Sequence, residues 1–341
     1  MMNNKKNSAE IVLNVENLYL DIPTPAGNLH AVRGVSFQLK RGETLGIVGE
    51  SGCGKSVSTM ATMGLLPSKI KITAKDLTFL GTNLLGVSER QFADIRGDRI
   101  SIIFQEPMTA LNPVFTIGNQ LMEGYLRHYG NYAEAEKKAI SLLDRVGITS
   151  AKRRLNQYPH QLSGGLRQRV MIAMALMCDP DIIIADEPTT ALDVTIQAQI
   201  LGLLADLQKE TGAAMILVSH DLGVISRVSD NIVVMYAGQV AESGSAKQIF
   251  ANPTHPYTQG LFSCIPAPGK RDRGAELGSI PGMVPSLLGK LEGCMFRPRC
   301  DLAREACTQE LPKLDVSKGH VAWCVASRKE LKSRSEKVAL L

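Results

Sequence analysis

Three short stretches of this sequence carry residue types that could do chemistry together. The first, Gly49-Glu50-Ser51-Gly52-Cys53-Gly54-Lys55-Ser56, satisfies G-x-x-x-x-G-K-[ST], a loop pattern that cradles phosphates. Its glycines let backbone N–H groups approach phosphate oxygens. Lys55 offers a point charge to the β- and γ-phosphates, and the Ser56 hydroxyl is a Mg²⁺ ligand. Cys53 stands at a variable position of the loop and reads as a small filler with no redox role. The second stretch is the carboxylate pair after the apolar run Ile182–Ala185. Asp186 is expected to hold Mg²⁺ through water, and Glu187 can orient the attacking water or accept its proton. The bland alternative is an acidic pair that merely caps a strand.

The third stretch is Leu162-Ser163-Gly164-Gly165-Leu166-Arg167-Gln168-Arg169. It opens a helix, so its backbone N–H groups and positive dipole end suit a phosphate. The chain's own nucleotide already has Gly49–Ser56. The arrangement makes sense if the phosphate comes from a partner's ATP.

Elements must hold these loops in place. Thr44–Val48 is a short apolar run that feeds the first loop, and a helix is expected near Ser56–Leu65. Ile100–Phe104, Asp181–Ala185, Ala214–Ser219 and Ile232–Tyr236 are further short runs rich in β-formers. Such continuous apolar runs suit a mainly parallel sheet covered on both faces. Ile11–Leu20 and Leu29–Leu39 read as strands around a Pro-Thr-Pro-Ala-Gly turn. From about Glu106 to His160 the pattern is helical, as in Ala133–Val146, and reads as a subdomain inserted between sheet elements. From about Asn252 proline and glycine rise and four cysteines follow, which predicts a separate, loop-rich C-terminal module. The polar residues 1–9 read as loose, and Ser327–Leu341 as a charged, frayed helix or tail.

Composition sets outer limits. The 341 residues are 44% apolar and 21% charged, ordinary for a globular chain able to bury a core. A net charge of +5 is too mild to argue for nucleic acid. No apolar run reaches the ~20 residues that span a bilayer, and the N-terminus has no signal-peptide pattern. A cytosolic chain is expected, with its seven cysteines as thiols or metal ligands.

In this order the three stretches resemble the ATP-binding cassette (ABC) family, whose ATPases sandwich two nucleotides between two subunits. The resemblance implies an α/β fold: a RecA-like, mainly parallel P-loop core, an antiparallel β subdomain and an inserted helical subdomain at about 106–165. It also implies roles for residues that alone say little. Gln105, after the strand Ile100–Phe104, fits the family's Q-loop, a contact to Mg²⁺ and water. His220, in Leu217-Val218-Ser219-His220-Asp221, fits the histidine that bonds the γ-phosphate, and Ala191-Leu192-Asp193 fits the D-loop. Ser163, Gly164 and Gly165 would bind the partner's γ-phosphate. One element departs: where the family stacks an aromatic on adenine, this chain has Ile22, with Tyr19 and His30 nearby.

The C-terminal part resembles the extension of dipeptide and oligopeptide importer ATPases. The resemblance rests on His255-Pro256-Tyr257-Thr258, Ile280-Pro281-Gly282-Met283-Val284-Pro285 and Gly293-Cys294-Met295-Phe296-Arg297-Pro298-Arg299-Cys300, together with Ala185–Ile200 in the core. It implies a nucleotide-binding domain over 1–250 and an extension over 251–341. It implies a D-type subunit paired with a homologous F-type subunit on the cytoplasmic face of the bacterial inner membrane. Two permeases and, indirectly, a periplasmic or extracellular solute-binding protein complete the assembly, with no nucleic acid. Cys294, Cys300, Cys307 and Cys324 are separated by gaps of five, six and sixteen residues, without a C-x-x-C pair. Four thiols so close in a cytosolic chain suggest metal. A [4Fe–4S] cluster, as related subunits carry, is expected ahead of Zn²⁺ or free thiols. Rival readings are a soluble cassette ATPase acting on nucleic acid or the ribosome, and a redox-reading regulator. The cargo, whether dipeptide, oligopeptide, glutathione, nickel or opine, stays open.

Overall fold

The run Ile182-Ile183-Ile184-Ala185 has no polar side chain for either face, so it is stable as a strand only where both faces are covered. In the computed structural model every residue of the strand Ile182–Asp186 is buried. The structure describes residues 10–190, 193–265 and 278–340, with side chains described through 335. The chain divides into two compact units. One comprises the residues up to Leu13, Gln38–Thr44 and Phe79–Val218, and the other Asn14–Phe37, Leu45–Thr78 and Ser219–Leu341.

In the first unit Ile182–Asp186 is the middle of three parallel strands. Ile100–Ile103 pairs on one side, with Ile103 opposite Ala185. Ala214–Ser219 pairs on the other, with Val218 opposite Asp186. The three carboxyl ends therefore emerge side by side, where an α/β sheet presents its functional loops. The opposite end is pinned by Asp181. It accepts a hydrogen bond from Arg41 Nη1 at 2.8 Å and another from Arg99 Nε at 2.5 Å. Burial alone would raise the Asp181 carboxyl, but those hydrogen bonds outweigh it and hold the group below the usual carboxylate range.

The helical stretch of this unit follows local rules. Thr116 caps the helix Ile117–Tyr129 by accepting from Asn119 N, and Asn131 caps Tyr132–Arg145 by accepting from Glu134 N. Ala135, Ala139, Leu142 and Leu143 form the buried stripe of the second helix at helical spacing. The short helices Pro107–Ala110 and Ala151–Arg154 and the longer Gly164–Ala175 complete the helical part expected from the sequence.

In the second unit the strand ending at Val48 runs parallel to Asn231–Tyr236, with Ile47 opposite Val233. Asn231–Tyr236 then folds back on Gln239–Ser245. Two strands near the C-terminus extend this edge. His320–Trp323 pairs with Gln239–Ser245, and Lys313–Ser317 pairs with His320–Trp323, both antiparallel. This corrects the expectation of a loop-rich module. Lys313–Ser317 alternates exposed and half-buried residues, a strand signal made faint by its polar composition. The sequence reading also missed Lys71–Thr73, which pairs with Tyr19–Asp21.

A buried carboxylate ties these elements together. Glu242 accepts from Thr254 N at 2.9 Å, His255 N at 2.8 Å and His320 Nε2 at 2.7 Å. A buried charge is tolerable when each acceptor has such partners. The helix Pro256–Ser263 starts from this knot and meets the C-terminal helix Arg328–Leu340, where Gln259 Nε2 donates to Leu331 O.

Candidate functional site

The phosphate loop leaves a wholly buried strand, Thr44–Val48, and enters the helix Lys55–Thr62. Two of its glycines, Gly49 and Gly54, are demanded by close packing. A Cβ on Gly49 would lie 2.1 Å from the Met235 carbonyl oxygen, and one on Gly54, at φ 97°, 2.6 Å from Ala31 O. Lys55 is buried, and its Nζ donates to Gly49 O at 2.8 Å and Glu50 O at 3.1 Å. The amine thus sits inside the ring of backbone that a phosphate would enter. Ser56 is half-buried on the first helical turn. Cys53 is buried, and that burial pushes its thiol up, as expected of a filler rather than a redox group.

The carboxylate end lies in the other unit. Asp186 ends its strand buried. Glu187 has φ 45°, a left-handed backbone that costs a non-glycine residue roughly 1–2 kcal/mol. The turn is held by Glu187 N donating to Val218 O at 3.0 Å. Its carboxylate meets two donors, Gln105 Nε2 at 3.0 Å and Thr190 Oγ1 at 2.9 Å. Gln105 and Glu187 lie far apart in sequence, and the parallel pairing of their strands brings them together. Thr190 was not singled out from the sequence, although it stands one turn beyond Glu187. His220 follows the strand Ala214–Ser219 and is exposed.

At the second glycine-rich stretch, Ser163 is the N-cap of the helix Gly164–Ala175, yet its hydroxyl makes no capping bond. Ser163 and Gly164 are exposed. Ala191 and Leu192 of the D-loop lie outside the described residues. Asp193 caps the helix Val194–Thr211, accepting from Ile196 N at 2.9 Å.

A cavity of about 350 Å³ adjoins Ser51 and Gly52 of the phosphate loop, and its walls are Thr24, Leu29, Ala31 and residues 284–288. Ile22, Tyr19 and His30 do not line it. Tyr19 instead borders a different cavity with Arg33 and Gln239, and His30 Nδ1 is 2.6 Å from Asp21 Oδ1. The Val284–Leu288 segment is held in place by His30 N donating to Leu287 O at 2.9 Å.

Cys294, Cys300, Cys307 and Cys324 do converge, lining one cavity with His255, Phe296 and Leu302. Burial pushes the Cys294 and Cys300 thiols up to about 11 and raises Cys324 as well. Protonated thiols pack as small apolar groups, and the space is closed to about 10 Å³, close to one water. Among the described residues no three His, Cys, Asp or Glu are spaced to hold a metal ion. The donor set suits a soft cation, while the room is too small for a four-iron cluster unless the thiols spread. The extension also touches the phosphate loop, which the sequence did not foretell. Arg299 Nη1 donates to both carboxylate oxygens of Glu50, and Glu50 N donates to Tyr257 Oη.

A phosphate loop between strand and helix, with a carboxylate pair ending a parallel strand, defines a P-loop ATPase. Residues 32–190 match the ABC transporter family, and residues 241–307 match the oligopeptide/dipeptide transporter C-terminal region. The chain is 50% identical to the dipeptide transport ATP-binding protein DppD of Bacillus subtilis, over 92% of this chain and 94% of that one. It is 46% identical to the oligopeptide transport ATP-binding protein OppD of Salmonella typhimurium, over 95% and 96%. Among solved structures, cbiO1 from Clostridium perfringens, part of an ABC transporter complex, is 30% identical. It aligns with TM-score 0.62 over 72% of this chain and 92% of that one. A dimeric cassette in a post-hydrolysis state with ADP and Pi is 28% identical, TM-score 0.60, over 69% and 98%. The chain belongs to the ATP-binding cassette family, in the branch of dipeptide and oligopeptide transport ATP-binding proteins, and is an ATPase of that family.

Proposed function

We propose that this chain hydrolyses ATP to power import of dipeptides or oligopeptides across a bacterial inner membrane. The observation that carries this reading is one chain holding both a cassette and the oligopeptide/dipeptide region. The matches favour it over a soluble ATPase acting on nucleic acid or the ribosome. No helix among the described residues is long and apolar enough to cross a membrane. Two permease subunits would form the pathway, with this chain docked on their cytoplasmic face beside an F-type ATPase subunit. In domain terms, 1–250 is the cassette, about 106–165 its helical subdomain, and 251–341 the extension.

In this reading Gly49–Ser56 binds the triphosphate, with Lys55 on the β- and γ-phosphates. Ser56, Gln105 and Asp186 hold Mg²⁺. Glu187 orients the attacking water, supported by its bond from Gln105 at 3.0 Å, and His220 senses the γ-phosphate. Ser163, Gly164 and Gly165 bind the partner's γ-phosphate, so two composite sites form per dimer. The base rests against Leu29, Ala31 and the Val284–Leu288 segment, an apolar fit without an aromatic. Catalysis is then positioning plus electrostatics.

ATPase activity should therefore rise when the chain is reconstituted in vesicles with its F-type partner and permeases, and rise again with peptide-loaded binding protein. Equal activity of the isolated chain at low and high concentration would refute the two-subunit site. Import of a non-peptide solute alone would refute the cargo class.

The four converging thiols are read as ligands of a [4Fe–4S] cluster, ahead of Zn²⁺, with the cysteines moving outward to admit it. Thiolate ligation would stabilise the fold around 294–324. Anaerobically purified protein should carry iron and acid-labile sulfide in near-equal amounts. Zinc without sulfide would reassign the metal, and neither would leave the thiols structural.

A further inference from the structure

Glu50 occupies a variable position of the phosphate loop, yet its N–H, carbonyl and carboxylate are all engaged. Its backbone N–H donates to Tyr257 Oη at 2.9 Å, and its carbonyl accepts from Lys55 Nζ at 3.1 Å. Its carboxylate takes Arg299 Nη1 on both oxygens, at 3.0 and 2.9 Å. The Arg299 side chain is 5% exposed, against 27% for Glu50. The guanidinium is itself fixed, donating through Nε to Pro281 O at 2.9 Å and through Nη2 to Ile280 O at 3.1 Å. Such a charge-assisted, multiply bonded arginine holds its partner in one geometry.

Arg299 is also the residue before Cys300, and its guanidinium lies 5.9 Å from the Phe296 ring centroid. Phe296 packs on Tyr236 at 5.2 Å and on Tyr257 at 5.5 Å between centroids. The same Phe296 walls the cavity that all four cysteines line. A contiguous chain of packed and bonded groups thus runs from the thiols to the carbonyls that hold Lys55, the kind of network through which coupling can travel.

We propose that Arg299 is a positioning residue of the ATP site: through Glu50 it sets the shape of the phosphate loop and couples nucleotide affinity to the state of the cysteine-lined part of the extension. The proposal rests on the reading of Gly49–Ser56 as the ATP site. Without Arg299, the Glu50 carboxylate is left uncompensated beside the place of the phosphates, and the Glu50 carbonyl loses its fixed position next to Lys55. Both effects weaken binding of an anionic nucleotide.

The test is a set of binding titrations of the full-length chain with a fluorescent ATP analogue and Mg²⁺. Arg299→Gln should raise Kd on the order of tenfold, within the usual range for coupled sites. Arg299→Lys, which can place one cation where Nη1 lies, should restore most of that loss. The decisive arm is the cycle with Glu50→Gln: in that background Arg299→Gln should change Kd less than about twofold. Cys307→Ala should shift Kd with Arg299 present and leave it unmoved in the Arg299→Gln chain. Unchanged affinity in Arg299→Gln overturns the proposal. So does an equal loss in the Glu50→Gln background, or no rescue by lysine, since either assigns the effect to general damage. A Cys307→Ala effect that is the same with or without Arg299 overturns the coupling. Lys55→Ala serves as the reference: if it binds the analogue like wild type, the ATP-site reading itself fails, independently of Arg299.

Discussion

Two glycine-rich helix starts in this chain look alike as sequence and differ as structure. At the phosphate loop Gly49 and Gly54 face inward. Added Cβ atoms at Gly49 and Gly54 would meet backbone oxygens at 2.1 and 2.6 Å, and the loop's own carbonyls hold Lys55. At Ser163–Gly165 the glycines face outward. A Cβ on Gly164 would meet nothing within 4 Å, and one on Gly165 only Ile196, at 3.4 Å. Glycine at positions 49 and 54 is required by the fold, where no other residue fits. Internal packing at the second does not demand it. Packing thus separates glycines that the fold requires from glycines that it does not.

The largest expected effect separates binding from turnover. Glu187→Gln should cut hydrolysis about a thousandfold, the range for losing a general base, while the chain binds ATP as before. Turnover near the wild-type rate, followed by phosphate release, would remove Glu187 from the chemistry and leave the inward loop as the whole site.

Next comes the inward glycine. Gly49→Ala should abolish nucleotide binding and cost roughly 3 kcal/mol of stability, since a methyl cannot share space with Met235 O. A variant with normal urea midpoint and normal affinity would break the contrast at its first half. Gly164→Ala tests the second half. Its stability should change by under about 0.5 kcal/mol, and ATP affinity of the isolated chain should hold. Hydrolysis by the assembled transporter should fall about a hundredfold, as when one phosphate-facing donor is displaced. If Gly164→Ala instead unfolds the chain, its glycine is structural after all.

The smallest effect concerns how the inward loop is fastened. His255 Nδ1 accepts from Tyr257 N at 3.0 Å, and Tyr257 Oη in turn accepts from Glu50 N. Burial disfavours the imidazolium and lowers the His255 pKa from 6.5 to about 3. Between those values the unfolded chain takes up a proton that the folded chain refuses. Stability from this group is therefore complete above pH 6.5 and falls with acid, by roughly 1.4 kcal/mol per pH unit. His255→Asn keeps an N-cap acceptor without titrating. Urea midpoints at pH 7.5, 6 and 5 should fall less steeply in this variant than in wild type. Parallel curves would mean that His255 is not held neutral.

What was legible in the sequence was what the chemistry requires to be contiguous. Gly49–Ser56 is a short run because a phosphate loop gathers its backbone N–H groups, lysine and hydroxyl within a few residues, and Asp186-Glu187 and Ser163–Gly165 are equally contiguous. The strands that carry them could be read too, because a strand buried on both faces is apolar at every position, as Ile182–Ala185 is. Tertiary structure alone decided which distant residues meet. Gln105 reaches Glu187 because their strands pair in parallel register, and register leaves no local mark. The wall beside Ser51 and Gly52 is built from Leu29, Ala31 and the Val284–Leu288 segment rather than from Ile22, Tyr19 or His30. Four cysteines that fit no short ligand motif converge on one cavity, and Arg299 grips Glu50 from far along the chain. The last three depend on where the extension folds back, and a buried Glu242 satisfied by Thr254, His255 and His320 ties that part of the chain together.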